Sequence, residues 1–480
     1  MIASDWMAAV DRNAAALGVP RKQLMESSGN AVARAVRRVA DPGATVVVVA
    51  GRGNNGGDGL VAARFLDRYD VAVHLLGRPE TIRTRIAREN WDALQAGEYS
   101  TRRITDAADI DLGSPDVVVD AMLGTGVTGD LREPEATAAS AVNDADATVV
   151  SVDVPSGVDA DTGEAVGVAV DPDHVVTFHD RKPGLDAVDA EVTVADIGIP
   201  AAAERFVGPG DLLGLDRDPR SHKGDAGEVL VIGGGPYTGA PALAGQAALR
   251  AGADLVRVAC PASVAETVQG FSENLIVRPY DGERLTPERV DAVLAAATDH
   301  DTVVIGPGLG DHPETEAAVR AFLSAYDGVA VVDADALVTV PDVDTDAALL
   351  CTPHQGELRG MGGETADEWR TRAELVSEFA ADLGHLLLVK GPYDIVTDGV
   401  ETRINRTGNA AMTVGGTGDV LAGATGALAC VLAPRHAASV AAYATGRAGD
   451  AAAEERDRGL VATDLLGRLP AALQDQEVDG

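Results

Sequence analysis

Residues 415–429 read Gly-Gly-Thr-Gly-Asp-Val-Leu-Ala-Gly-Ala-Thr-Gly-Ala-Leu-Ala, and the larger half of the chain is organised around them. Gly415, Gly416 and Gly418 let the backbone approach a ligand where a Cβ would clash. The apolar, Ala-rich run that follows opens a helix. Its free N–H groups and positive dipole end suit a phosphate. Asp419 stands at the mouth of that anion site. A carboxylate there repels phosphate, so it either takes a proton from a hydroxyl or holds a metal, unless it only caps the helix.

Upstream of this stretch the pattern is strand, polar loop, helix. Lys223-Gly224-Asp225-Ala226-Gly227 precedes a strand predicted over 228–232, and Gly233-Gly234-Gly235 leads into a helix ending at Gly252. Further strands are predicted over 254–259, 302–305, 329–333 and 386–390. They run into Gly306-Pro307-Gly308-Leu309-Gly310, Asp333-Ala334-Asp335 and Lys390-Gly391-Pro392-Tyr393-Asp394. Thr352-Pro353-His354-Gln355-Gly356-Glu357 follows an apolar run, and these neighbours favour a ligand-contacting loop histidine over a core one. A closing helix is predicted over 437–454.

The first half repeats the pattern. Residues 7–39 have helical spacing, punctuated by Leu24-Met25-Glu26-Ser27-Ser28-Gly29. Strands are predicted over 45–50, 71–76, 116–122, 148–153, 175–178 and 191–195. The first runs into Gly51-Arg52-Gly53-Asn54-Asn55-Gly56-Gly57-Asp58-Gly59, with a helix from Leu60. The third ends at Asp120 before Gly124-Thr125-Gly126-Val127-Thr128-Gly129-Asp130. The fourth runs through Asp153 into Val154-Pro155-Ser156-Gly157. In an open parallel sheet the ligand crevice lies outside the carboxyl ends of the strands, so Asn55, Asp120, Asp153 and Ser156 converge. Their oxygens suit a cation or a polar ring. Glycine, proline and charge replace periodicity over 206–223, which places a domain boundary near 212–220.

The totals bound the class. At 480 residues, length predicts two or three domains, and with 46% hydrophobic but 3% aromatic residues the cores must be Ala, Val and Leu. No run of eighteen apolar residues and no basic-then-apolar N-terminus occurs, so a soluble, unexported, cytoplasmic protein with no membrane partner is expected. The net charge of −36 is dispersed, and only Lys22, Lys182, Lys223 and Lys390 are lysine. Such a surface reads as adaptation to a salt-rich cytoplasm, as in a halophile. The absence of a basic patch speaks against nucleic acid. Cys260, Cys351 and Cys430 are far apart and form no Cys-x-x-Cys, so neither a disulfide frame nor a zinc site is indicated. The sequence leaves a homo-oligomer open.

Gly-Asn-Asn-Gly-Gly-Asp-Gly, Asp-Ala-Met-Leu-Gly-Thr-Gly and Val-Asp-Val-Pro-Ser-Gly-Val-Asp resemble the NAD(P)H-hydrate epimerase domain over residues 1–212. That resemblance implies a Rossmann-like three-layer α/β sandwich that interconverts the R and S hydrates of NADH and NADPH (NADHX and NADPHX). By motif, Asn54, Asn55, Gly56, Gly57 and Asp58, with Gly124, Thr125, Gly126, Val127, Thr128, Gly129 and Asp130, would hold the hydrated dinucleotide. Asn55, Asp120 and Ser156 would bind a potassium ion. Asp153 would contact the substrate and serve as acid/base.

Gly-Pro-Gly-Leu-Gly, Thr-Pro-His-x-Gly-Glu, Val-Lys-Gly and Gly-Gly-Thr-Gly-Asp resemble the nucleotide-dependent NAD(P)H-hydrate dehydratase, of ribokinase-like fold, over 218–478. The resemblance implies magnesium and an adenine nucleotide, ADP in microbial members and ATP in eukaryotic ones. Phosphorylation of the ring hydroxyl of the S hydrate precedes elimination. Asp419 would deprotonate that hydroxyl. Ala240, Gly308, His354 and Asp419 would contact the hydrate, and Lys390, Gly391, Pro392, Tyr393, Asp394 and Gly418 the nucleotide. The chain departs from the family at Gln355, at Pro392-Tyr393-Asp394 and at Ala410-Ala411. The second departure touches the nucleotide contacts of Tyr393 and Asp394; none touches Asp419. The alternative is a ribokinase-like small-molecule kinase with an accessory nucleotide-binding domain.

Overall fold

Short valine-rich runs such as Thr-Val-Val-Val-Val-Ala over Thr45–Ala50 have no polar face, and suit a parallel strand covered on both sides. Such runs form the central strands of two sheets, sixteen strands in all among the described residues, in a computed structural model that describes residues 1–126, 129–215 and 217–474. The chain divides into two compact units, with the division between Ala203 and Glu204.

In the first unit the strands are β1 Thr45–Ala50, β2 Asp70–Leu76, β3 Ser100–Ile104, β4 Val117–Ala121, β5 Thr148–Val152, β6 His174–Phe178 and β7 Glu191–Ala195. The sheet order is β3-β2-β1-β4-β5-β6-β7, parallel throughout. The chain leaves β1 in one direction and β4 in the other, so the switch point lies between their carboxyl ends.

Two expectations are corrected here. The run Leu24–Gly29 does not interrupt a helix. It lies inside Arg21–Val39, and the break falls earlier, between Ala16 and Arg21, where Gly18 has φ +92° and Pro20 follows. Gly29 is small because a Cβ there would stand 2.4 Å from Val61 Cβ on the helix Asn54–Phe65. Nor is Asn54–Gly59 a loop: that helix starts at Asn54. Its glycines serve close packing, since a Cβ on Gly56 would meet Gly51 O at 2.1 Å and one on Gly59 would meet Ala121 Cβ at 2.5 Å.

The second unit contains β8 Glu228–Ile232, β9 Leu255–Pro261, β10 Ile276–Tyr280, β11 Thr302–Ile305, β12 Val329–Val332, β13 Ala348–Cys351, β14 Leu386–Val389, β15 Asp394–Thr397 and β16 Thr402–Asn405. Their order is β10-β9-β8-β11-β12-β13-β14-β15-β16, parallel until β15 and β16 close the edge antiparallel. Asp394 thus opens a strand and does not end a loop. Three of the four edge strands, β3, β10 and β16, carry arginines, which hid them from an apolar-run reading; the fourth, β7, carries none and matches the strand expected over 191–195.

The helix Thr417–Ala429 lies so close to Gly239–Arg250 that a Cβ on Gly423 would stand 2.0 Å from Ala244 O. The long helix Pro434–Arg456 buries an almost unbroken alanine face. Cys260 and Cys351 are buried, Cys430 is half-buried, and all three are free. No helix among the described residues is long and apolar enough to cross a membrane.

Candidate functional site

The first site lies at the β1/β4 switch point. Asp120, the penultimate residue of β4, is fully buried. Its Oδ2 accepts from Ser151 Oγ and the Ser156 amide, both at 2.9 Å, and its Oδ1 from Ser156 Oγ at 2.6 Å and the Met122 amide at 3.2 Å. Burial pushes its carboxyl up, and the Ser156 bonds oppose that. Asn55 Nδ2 donates to Leu123 O at 2.8 Å, and the Leu123 amide donates to Ser156 Oγ at 3.0 Å. Asn55, Asp120 and Ser156 therefore meet around Leu123. No basic side chain pairs with Asp120 among the described residues. A buried carboxylate among hydroxyl and amide oxygens, with no cation beside it, fits a bound monovalent cation.

Above this group is a cleft of about 400 Å³. Asn54, Asn55, Asp58, Gly124, Thr125, Gly126 and Asp153 line it, while Gly56 and Gly57 back onto the protein. Asp120 and Ser156 lie beneath its wall. Gly129 has φ +87°, and Asp130 faces Gly167 outside the cleft. Val127 and Thr128 fall outside the described residues.

Asp153 follows β5 with φ +65°, a conformation that side chains rarely adopt and that clusters at functional sites. Its Oδ1 is 2.9 Å from the Nζ of Lys182, which is fully buried, and accepts from Thr177 Oγ1 at 3.1 Å. Lys182 also donates to Phe178 O at 2.8 Å. Two further carboxyls face the pair. Burial, assisted by the charges of Asp153 and Asp11, raises Asp58 well above its ordinary value. Burial raises Asp11 to about 6, Asp153 adds to this, and Arg21 and Lys182 oppose it. Asp11 carried no motif signal. Lys182 did carry one, being one of four lysines, but only the fold shows it paired with Asp153.

The second site lies at the carboxyl ends of β11 to β14 and at the glycine stretch. Gly416 takes φ +97°, and the helix starts at Thr417, so Asp419 occupies its first turn as the third helical residue and is not the cap. Lys390, after β14, sits among carboxylates: its Nζ is 3.0 Å from Asp333 and 3.6 Å from Glu357. Burial pulls Lys390 down, but Asp333 and Glu357 outweigh it and hold its pKa above the ordinary lysine value. Burial raises Asp419 to about 7, Asp333, Asp335 and Glu357 add to this, and Lys390 opposes. A Cβ on Gly418 would stand 3.2 Å from Lys390 Nζ, so loop and lysine face each other.

A cavity of about 630 Å³ collects His354, Lys390, Gly391, Pro392, Asp394 and Gly418. Ala240, Gly308 and Asp419 do not line it. Gly308 packs against Tyr237 O and Pro241 beside Ala240, and Asp335 fixes its loop by accepting from the Gly310 amide at 2.7 Å. His354 Nδ1 accepts from the Glu357 amide at 2.9 Å, capping a short helix. Tyr393 lies outside the cavity and stacks on Trp369 at 5.4 Å. Asp394 turns inward: it accepts from the Gly391 amide and from Asn405 Nδ2, both at 2.9 Å, and burial raises it to about 6. No group of three His, Cys, Asp or Glu side chains among the described residues is arranged to hold a metal. A divalent ion here would need oxygens from a ligand's phosphates beside the Asp419 and Glu357 carboxylates.

Fold and loops together define a protein of two α/β units, each with a candidate site at the carboxyl ends of its parallel strands, the first at the switch point of its sheet. Residues 229–471 match the NAD(P)H-hydrate dehydratase family, and residues 21–184 match the family described as YjeF-related protein N-terminus. The chain is similar to the bifunctional NAD(P)H-hydrate repair enzyme Nnr of Methanothermobacter thermautotrophicus, with 42% identity across 97% of this chain and 94% of that one. It is similar to that of Pyrobaculum aerophilum at 44%, across 98% of both. A ribokinase-like superfamily protein of Enterococcus faecalis V583 shares the C-terminal fold at TM-score 0.51 and 23% identity, covering 56% of this chain and 95% of that one. The chain belongs to the family of bifunctional NAD(P)H-hydrate repair enzymes.

Proposed function

We propose that the second unit dehydrates the S hydrate of NADH and NADPH with ADP, and that the first unit supplies that epimer from R. The observation that carries this is Asp419: a carboxyl raised to about 7 in the first turn of a helix behind a glycine anion loop. A base for a hydroxyl proton is most effective near the working pH. Asp419 takes the proton of the ring hydroxyl as its oxygen attacks the terminal phosphorus of ADP. Amides from Gly415 to Gly418 and the Lys390 ammonium hold the transferring group. The P–O bond to AMP breaks. Phosphate then leaves from the ring carbon and a proton from the neighbouring one, which restores the dihydronicotinamide. Magnesium, bound with the nucleotide, would neutralise phosphate charge between Asp419 and Glu357.

In the first unit Asp153, paired with Lys182, is the acid/base at the carbon carrying the hydroxyl. Protonating that hydroxyl lets the ring nitrogen expel water, and return of water to the other face inverts the centre. Asn55, Asp120 and Ser156 would hold a potassium ion that anchors the Leu123–Gly126 turn. The dispersed acidic surface supports a salt-rich cytoplasm as the working medium.

The test mixes protein, both epimers of hydrated NADH, magnesium, potassium and ADP in high salt, and follows absorbance of reduced nicotinamide. Complete return of NADH is expected. Recovery of the S fraction alone, beyond spontaneous epimerisation, would remove the epimerase assignment. Recovery with ATP and not ADP would change the donor. A stable phosphorylated product would favour a small-molecule kinase.

A further inference from the structure

The first cleft has a basic wall that neither the glycine loops nor Asp153 accounts for. In a chain with 75 acidic and 39 basic residues, Arg21, Arg52 and Arg83 all line it. Arg21 faces Asp11. Arg52 and Arg83 belong together: the Arg83 amide donates to Arg52 O at 2.8 Å, joining the loop after β2 to the turn after β1. Arg88 braces the Arg83 loop by donating to Ile82 O at 2.7 Å. The Arg52 side chain is held in place. It crosses Gly77, where a Cβ would stand 2.7 Å from its Cδ, and lies 3.7 Å from the buried Glu135. Arg83 is exposed and pairs with no carboxylate among the described residues. The first amides of the helix Asn54–Phe65 open beside them.

One cleft thus carries carboxyls and a buried lysine at one part of its wall, and at another the held Arg52 side chain, the exposed Arg83 on a loop fixed through its backbone, and helix amides. A ligand with a reactive polar ring and a phosphate fits both. We propose that Arg52 and Arg83 form the phosphate subsite of this cleft, accepting either the bridging diphosphate or the 2′-phosphate of the hydrated dinucleotide. This rests on the epimerase reading. The held Arg52 guanidinium presents paired donors to phosphate oxygens at little further ordering cost, and Arg83, with its backbone fixed and no competing carboxylate among the described residues, supplies a second fork.

The test uses the full chain without ADP, so that dehydration is idle. The R hydrates of NADH and NADPH are supplied separately, and conversion to S above the spontaneous rate is followed by chromatography. Arg52→Gln or Arg83→Gln should raise KM on the order of tenfold with kcat little changed. Arg83→Lys should recover part of the loss. Equal effects on both substrates identify the diphosphate; an effect confined to the NADPH hydrate identifies the 2′-phosphate. Unchanged KM in both Gln variants overturns the proposal. So does a fall in kcat that Lys does not rescue, because it marks a structural role. If the unmodified chain does not epimerise, the epimerase reading fails and the subsite is tested alone with inorganic pyrophosphate. A rise in melting temperature that Arg83→Gln abolishes sustains it, and an equal rise in both proteins rejects it.

Discussion

As the proposed base, Asp419 would link charge to both activity and stability. Its carboxyl is raised to about 7, chiefly by burial and then by Asp333. As a base it must be ionised, so kcat/KM for dehydration should fall about tenfold per pH unit below 7, read from a pH series at saturating magnesium. The stability sign is opposite. Between about pH 4 and 7 the native carboxyl holds a proton that the unfolded one has lost, so stability falls as pH rises through that window. Asp419→Asn should therefore abolish dehydration, leave epimerisation intact, and raise the melting temperature at pH 8 by roughly 2–4 °C. Asp153→Asn should do the reverse for activity: epimerisation falls by about a hundredfold or more, while consumption of supplied S hydrate with ADP is unchanged. Unchanged epimerisation would remove Asp153 from the chemistry. The sequence singled out Asp419 and Asp153 because each stands in a motif. It did not single out Asp11: that is one aspartate on an ordinary helix, and only the packing turns it toward Lys182.

At the scale of elements, glycine meant two things that sequence could not separate. Gly416 is a turn glycine with φ +97°, as a loop reading expects. Gly29, Gly56 and Gly423 lie within helices and exist to admit a neighbour. Alanine is the better helix former by about 1 kcal/mol, so propensity alone favours Gly423→Ala. The Cβ would stand 2.0 Å from Ala244 O, and overpacking wins. We expect Gly423→Ala to destabilise the C-terminal unit by about 2 kcal/mol, measured by denaturant melts, with dehydration lost as the Ala240 helix shifts. Gly29→Ala should act likewise on the N-terminal unit through Val61. Most central strands were legible as valine runs. The edge strands β3, β10 and β16 were not, because their arginines break the run.

For the whole molecule, charge dominates. A net charge of −36 on 480 residues repels itself in dilute buffer, and screening relieves this. Melting temperature should rise steadily between about 0.1 and 1 M potassium chloride, as the Debye length shrinks from about 10 Å to about 3 Å. A sodium chloride series separates the two causes. Equal rises mark screening alone, and an excess with potassium confined to the N-terminal unit marks the Asn55, Asp120 and Ser156 group.

The sequence alone determined two parallel-sheet units and the glycine stretches and motif carboxylates at their strand ends, because strand period and local composition are local properties. Tertiary structure decided the rest. It brought Lys182 to Asp153 across two strands, ringed Lys390 with Asp333 and Glu357, turned Asp394 inward to Asn405 and placed Arg52 beside Arg83. Each of these joins residues from separate elements, and such pairings, like the burial that raises Asp394, exist only in the folded chain.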